Sequence, residues 1–147
     1  MIFDFTGKTV LVTGATRGIG KCISDDFKSL GADIISFPSS VYDLTNEKAL
    51  VKYIGALQID ICINNAGINK IDYIEDVLDE DYDKIMHINA KAPFMISKAV
   101  SKTMKKKGYG RIVNIASIFG HCTKEKRSCY TASKFALVGM TKTLAVE

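Results

Sequence analysis

The sequence predicts an α/β domain: a doubly wound parallel sheet with helices on both faces, in three layers. Two observations predict it. Four short apolar runs rich in β-branched residues recur along the chain, at Lys8–Thr13, Ala32–Phe37, Ile59–Asn64 and Arg111–Ala116, with helix-periodic segments between them, the pattern of repeated βα units. The first run passes directly into a glycine-rich loop, Gly14-Ala15-Thr16-Arg17-Gly18-Ile19-Gly20, that opens a helical pattern.

Composition agrees. The 147 residues suit one domain, residues 1–147, with a real core, and 47% hydrophobic with 24% charged residues is ordinary for a soluble globular protein. The net charge of +4 is mild, and Lys105-Lys106-Lys107 supplies a local excess that is read as a solvated helix end rather than a nucleic-acid surface. No apolar run approaches the ~20 residues that span a bilayer, and the N-terminus lacks a basic segment followed by an apolar one. A cytoplasmic location is expected. The cysteines, Cys22, Cys62, Cys122 and Cys129, show no metal-ligand spacing. Cys22 and Cys62 fall in apolar periodic segments and are expected in the core.

The run Lys8–Thr13 reads as a buried parallel strand. Its glycine loop permits a tight turn, and the helix that follows, with Ile19, Ile23, Phe27 and Leu30 on its apolar face and Gly31 as its stop, offers free N–H groups to a pyrophosphate. Ala32–Phe37 is the second strand. An acid at its end would select NAD through the ribose 2′-hydroxyl, yet residues 36–40 hold none, and Arg17 can meet a 2′-phosphate. NADP(H) is therefore favoured over NAD(H).

Too few residues separate Phe37 from Asp43-Leu44-Thr45 for a crossover helix, so a third strand can be no more than Val41-Tyr42. Thr45 or Asn46 can cap a helix through Ile54, with Gly55 past its end. Ile59–Asn64 is the next strand, and Asn65-Ala66-Gly67 after it suits a backbone lying close to the adenosine-ribose part of a cofactor. Asp79 is expected to cap a long helix from Asp81 to Lys107, with Tyr82, Ile85, Met86 and Asn89 on one face. Pro93 lies inside it and deprives the Asn89 carbonyl of its helical partner. That oxygen is expected to hold a water beside Lys134.

Arg111–Ala116 is the last strand and leads to Ser117, whose hydroxyl can hydrogen-bond a substrate oxygen. Ile118 to Arg127 reads as a substrate-facing loop, and Tyr130 to Glu147 as a helix with Phe135, Ala136, Val138, Gly139, Met140 and Leu144 on its apolar face. Tyr130 and Lys134 are four residues apart, hence one turn apart on one helix face. A tyrosine hydroxyl ordinarily titrates near pH ~10, and an ammonium held close favours the phenolate, which fits it for proton transfer.

Assembled, these residues resemble the classical short-chain dehydrogenase/reductase family over essentially the whole sequence: Thr13-Gly14-x-x-x-Gly18-x-Gly20, Asp43, Asn64-Asn65-Ala66-Gly67, Asn89, Ser117 and Tyr130-x-x-x-Lys134. Within it, the glycine loop is most similar to that of 3-oxoacyl-[acyl-carrier-protein] reductases of fatty acid biosynthesis. The short link after the second strand is more like NAD-dependent dihydroxybenzoate-type dehydrogenases. The resemblance implies a Rossmann-like sheet, a catalytic set of Asn89, Ser117, Tyr130 and Lys134, and cofactor contacts from Gly14, Thr16, Arg17, Gly18, Ile19, Gly20, Asp43, Leu44, Asn65, Ala66, Gly67, Tyr130 and Lys134. It implies no metal, a small carbonyl or alcohol substrate, no membrane or nucleic-acid partner, and a homo-oligomer formed through the two long helices. Family members continue beyond the point matching Glu147, with a further βα unit, a nicotinamide-gripping segment and a substrate lid. The chain is therefore expected to be truncated relative to the family, and Ile112–Ile115 to lie at a sheet edge. A catalytically impaired dinucleotide-binding module that pairs with intact subunits is the alternative expectation.

Overall fold

The computed structural model describes residues 3–37, 44 and 46–147. The expected strand Val41-Tyr42, the Asp43 site and the Thr45 cap lie outside the described residues. Four parallel strands, β1 (Thr9–Thr13), β2 (Asp33–Phe37), β3 (Ile61–Asn64) and β4 (Arg111–Asn114), stand in the order β2-β1-β3-β4. Val10 aligns with both Ile34 and Ile61, and Cys62 with Ile112. The chain winds outward from β1 in both directions, the arrangement expected from the alternating pattern.

The alternation of side chains along each strand sorts the core into two halves. Leu11, Cys62 and Ile112 face α2 (Glu47–Gly55) and α4 (Ala92–Lys107), and pack with Leu50, Ile54, Ile96 and Val100. Val10, Val12, Ile61 and Ile63 face the opposite way, against Ile23 and Phe27 of α1 (Gly18–Ser29). At β4 the second face runs out of cover: Arg111 and Val113 are exposed, while Ile112 and Asn114 are half-buried. β4 is a sheet edge, as expected.

Helix ends follow local chemistry, with corrections. Asn46 caps α2 by accepting from the Ala49 N–H at 3.2 Å, and Gly55 is its last residue rather than the one beyond. Gly31, at φ +89°, closes α1 as a left-handed turn. Asp79 is not a cap: α3 (Asp79–Met86) begins at Asp79 itself, and Leu78 precedes it without a side-chain bond. The acids Asp79, Glu80 and Asp81 instead occupy the first turn, where the helix dipole favours them. The long helix is divided into α3, a π-helical segment His87–Lys91, and α4, with Pro93 in the first turn of α4. The backbone is helical through Lys91 and Ala92, and the Ala92 N–H bonds His87 O, so Pro93 lies inside a continuous helical run where its missing N–H falls just after the π-helical turn. Cys22 is exposed on α1, so only Cys62 of the expected pair is in the core. Ile19 is 64% exposed, because the start of α1 projects into the cleft beside the glycine loop. Tyr82 is exposed as well.

At the N-terminal end of the sheet, Asp60 is 2% exposed and joins four elements. Its carboxylate accepts the Thr9 N–H at 3.0 Å and pairs with Lys107 at the end of α4. Its own N–H donates to Thr9 O at 2.9 Å, and its carbonyl accepts the Arg111 N–H at 3.0 Å. Burial pushes this carboxyl up, but hydrogen bonds from Lys107 and Thr9, with the charges of Lys107 and Lys8, outweigh it and hold the group below the usual carboxylate range.

A group whose folded pKa is depressed stabilises the fold above its unfolded pKa and loses that contribution as pH falls. Asp60→Asn is expected to lower stability by about 1–3 kcal/mol at pH 7, the exposed half of Lys107 keeping the loss modest. In denaturant titrations the difference from wild type should shrink as pH falls below about 4. A difference unchanged into acid would show that the charge is not what matters.

Candidate active site

The glycine loop leaves β1 at Thr13 and is held shut by side chains from across the sheet. Thr13 Oγ1 accepts the N–H groups of Asn65 at 2.9 Å and Ala66 at 3.0 Å. The Asn65 amide donates back to Thr13 O at 3.0 Å and Gly14 O at 3.2 Å. Gly14 and Gly18 take φ of +66° and +56°, where a side chain is strained. Gly20 has no room for one: a Cβ there would collide with the Gly14 carbonyl and the Asn65 amide. At Gly18, by contrast, a Cβ would meet nothing within 4 Å, because the loop opens there onto a cavity of about 450 Å³. Gly14, Thr16, Arg17, Gly18 and Ile19 line it from one side, Leu44, Asn65, Ala66 and Gly67 from the other.

Nothing caps the start of α1, since Arg17 precedes it in extended conformation without a side-chain bond. Gly18 and Ile19, the first residues of the helix, line the cavity, and a helix start with uncapped N–H groups and the positive end of the dipole is a chemistry suited to a pyrophosphate. The residues present fit a dinucleotide in shape and in donors.

A second cavity of about 250 Å³ shares Ile19, Asn65, Gly67 and Ile68 with the first and ends at Tyr130 and Lys134. Both stand on α5 (Ser128–Leu144). Lys134 is 4% exposed; its ammonium donates to Ile115 O at 2.8 Å and lies 5.6 Å from the Tyr130 ring centroid. Burial pulls the Lys134 pKa below the usual lysine value, and among the described residues no carboxylate pairs with it. The face of α5 that is buried is Cys129, Ser133, Lys134 and Leu137. This corrects the expected apolar face, since Phe135, Ala136 and Gly139 are exposed. The buried face mixes the polar Ser133 and Lys134 with Cys129 and Leu137, and Val138, Met140 and Leu144 are half-buried beside it.

Asn89 is 0% exposed and sits in the π-helical segment. Its side chain accepts the Ile68 N–H at 2.9 Å and donates to Ile68 O at 2.8 Å and Ser133 Oγ at 3.0 Å. Ser133 in turn donates to Tyr130 O at 2.7 Å. A Cβ at Gly67 would stand 3.4 Å from Asn89 Oδ1 and 3.7 Å from Lys134 Nζ, so the three crowd one spot. The sequence reading gave Asn89 only a main-chain role.

Ser117, in extended backbone, opens a 3₁₀ turn, Ile118–Gly120, and its Oγ accepts the Phe119 N–H at 3.2 Å while keeping its own proton to donate. The Phe119 ring meets Tyr130 edge-on at 6.1 Å. Ser117 itself does not line the second cavity; the residue before it, Ala116, does. Ile68, Ile115 and Ser133 are not legible as site residues in the sequence, and Thr13 stands there only as the opening of the glycine motif. Their roles come from partners far along the chain, although the β-strand-to-loop position of Thr13 was a signal. Among the described residues no cluster of His, Cys, Asp and Glu could hold a metal, and no helix is long and apolar enough to cross a membrane.

Comparison with known proteins places this geometry. The model of the short chain dehydrogenase family matches residues 38–147. The 3-oxoacyl-[acyl-carrier-protein] reductase FabG of Rickettsia typhi is 36% identical across 99% of this chain and 68% of its own. An uncharacterized oxidoreductase of Thermotoga maritima is also 36% identical, across 98% and 67%. Among solved structures, one described as an NAD(P)-dependent gluconate 5-dehydrogenase from Beutenbergia cavernae, with NADP bound at low occupancy, superposes with a TM-score of 0.93. It is 27% identical, across 99% of this chain and 68% of its own. With its glycine loop, its Tyr130–Lys134 pair and these relatives, the chain belongs to the short chain dehydrogenase family, oxidoreductases of alcohol and carbonyl groups that use NAD(P).

Proposed function

We propose that the protein is an NADP(H)-dependent oxidoreductase that interconverts a carbonyl and a secondary alcohol, with a 3-oxoacyl thioester as its leading substrate class. The observation that carries this reading is that two cavities share the walls Ile19, Asn65, Gly67 and Ile68, one lined by the glycine loop and the other by Tyr130 and Lys134. A bound nicotinamide supplies the hydride. Tyr130 then gives or takes the proton at the substrate oxygen, and Ser117 donates a hydrogen bond to the same oxygen. Lys134, held by Ile115 O, supplies a cation close to Tyr130 and would hold the ribose of a bound cofactor. Asn89 holds the relay water through its main-chain oxygen.

The substrate reading follows the FabG relatives, 36% identical in the Rickettsia typhi protein. A sugar acid is the second reading, favoured by the gluconate 5-dehydrogenase likeness at a TM-score of 0.93. Exposed aromatic residues on both long helices, Phe94 of α4 and Phe135 of α5, support assembly as a homo-oligomer through those helices.

Tyr130→Phe is expected to lower NADPH-dependent reduction of a 3-oxoacyl thioester by about 10²-fold or more, with cofactor binding retained. Cofactor binding without turnover in the wild-type chain would support instead a dinucleotide-binding module that pairs with intact subunits. The cofactor choice rests on Arg17, which lines the first cavity, and on the absence of an acid at residues 36–40. Arg17→Glu is expected to reduce the NADPH-over-NADH preference by about tenfold or more, a charged hydrogen bond being worth ~1.5–3 kcal/mol. A ratio of kcat/KM values unchanged by the substitution would remove this assignment.

A further inference from the structure

Between Ser117 and Tyr130 the loop carries three cations, Lys124, Lys126 and Arg127, against one acid, Glu125. Arg127 immediately precedes α5, and the first turn of that helix holds no acid. Among the described residues no carboxylate pairs with any of the three cations. The segment that Lys126 contacts through Tyr73 does carry acids, but Asp72 is engaged by Lys70, and Glu75 and Asp76, in the 3₁₀ turn Ile74–Asp76, form no ion pair among the described residues.

The cations are nevertheless placed. The Arg127 guanidinium lies 5.9 Å from the Phe119 ring centroid, and that ring lies 6.1 Å from Tyr130. Arg127 is half-buried. Lys126 adopts φ +62° without being a glycine, and its ammonium sits 4.2 Å over the ring of Tyr73, in a loop far away in sequence. A strained backbone held by a contact between two loops fixes where the charge stands. The loop is pinned to α5 a second time, Thr123 Oγ1 lying 3.3 Å from Thr131 Oγ1.

We propose that Arg127, assisted by Lys126, is a specificity-determining residue that binds an anionic group on the substrate, a carboxylate or a phosphate, while the substrate's carbonyl lies at Tyr130. This rests on the reading of Tyr130 as the proton-transfer residue. A half-buried guanidinium with no protein anion has its bidentate donors available, and one aromatic ring separates it from Tyr130.

The test measures binding apart from turnover. Calorimetry on the full chain saturated with NADP⁺ compares acetoacetate with methyl acetoacetate, and acetoacetyl coenzyme A with the uncharged N-acetylcysteamine thioester. The first pair reads carboxylate recognition and the second phosphate recognition. In at least one pair the anion is expected to bind about tenfold or more tightly than its neutral partner. Arg127→Ala is expected to abolish most of that preference, and Arg127→Lys to restore part of it. Raised salt should weaken the anion alone. Equal affinities within both pairs in the wild type, or a preference unchanged in Arg127→Ala, would overturn the proposal, as would equal weakening of charged and neutral ligands. NADPH oxidation with the same four compounds is read separately. Retained anion preference without any turnover would count against the oxidoreductase reading and leave the anion site standing.

Discussion

The site depends on Asn89. It is fully buried and must satisfy its side-chain amide within the protein. It does so by taking both main-chain groups of Ile68 and the hydroxyl of Ser133. One side chain thereby fixes the loop after β3 against α5, and Ser133 passes the restraint to the Tyr130 carbonyl. The π-helical segment makes this possible. Its wider turn re-aims a side chain that a regular helix would place elsewhere, a common use of such segments at functional sites.

The same economy governs the far side of the cleft. Thr13 and Asn65 exchange hydrogen bonds between the ends of β1 and β3 and tie the base of the glycine loop to the loop after β3. A buried polar network of this kind is costly when half-satisfied and rigid when complete. Among the described residues no buried side-chain polar atom lacks a partner. The two networks meet at the shared walls of the two cavities, Asn65, Gly67 and Ile68.

The strands and the glycine loop were legible in the sequence because runs such as Val10-Leu11-Val12 and Ile61-Cys62-Ile63 record burial on both faces. Periodicity failed where burial is polar. The buried face of α5 holds Ser133 and Lys134, so the apolar stripe through Phe135 and Ala136 pointed the wrong way. Ile19 and Cys22 match a helical repeat yet stand in the open, because an amphipathic pattern does not show which helix end overhangs a cleft. Asp79 satisfies a capping rule and an N-terminal charge rule equally; the structure uses the second. The roles of Asn89 and Thr13 rest on partners 21 to 53 residues away, which no local window contains.

The Asp60 cluster lies at the opposite end of the strands from the cleft, and it shares no residue with the networks around Asn89 and Thr13. Endurance and chemistry are therefore written at opposite ends of one sheet. Substitutions that refashion the cleft can lower stability, and gains made around Asp60 can offset them without touching a reacting group. A fold partitioned in this way can change what it acts on while remaining the same fold.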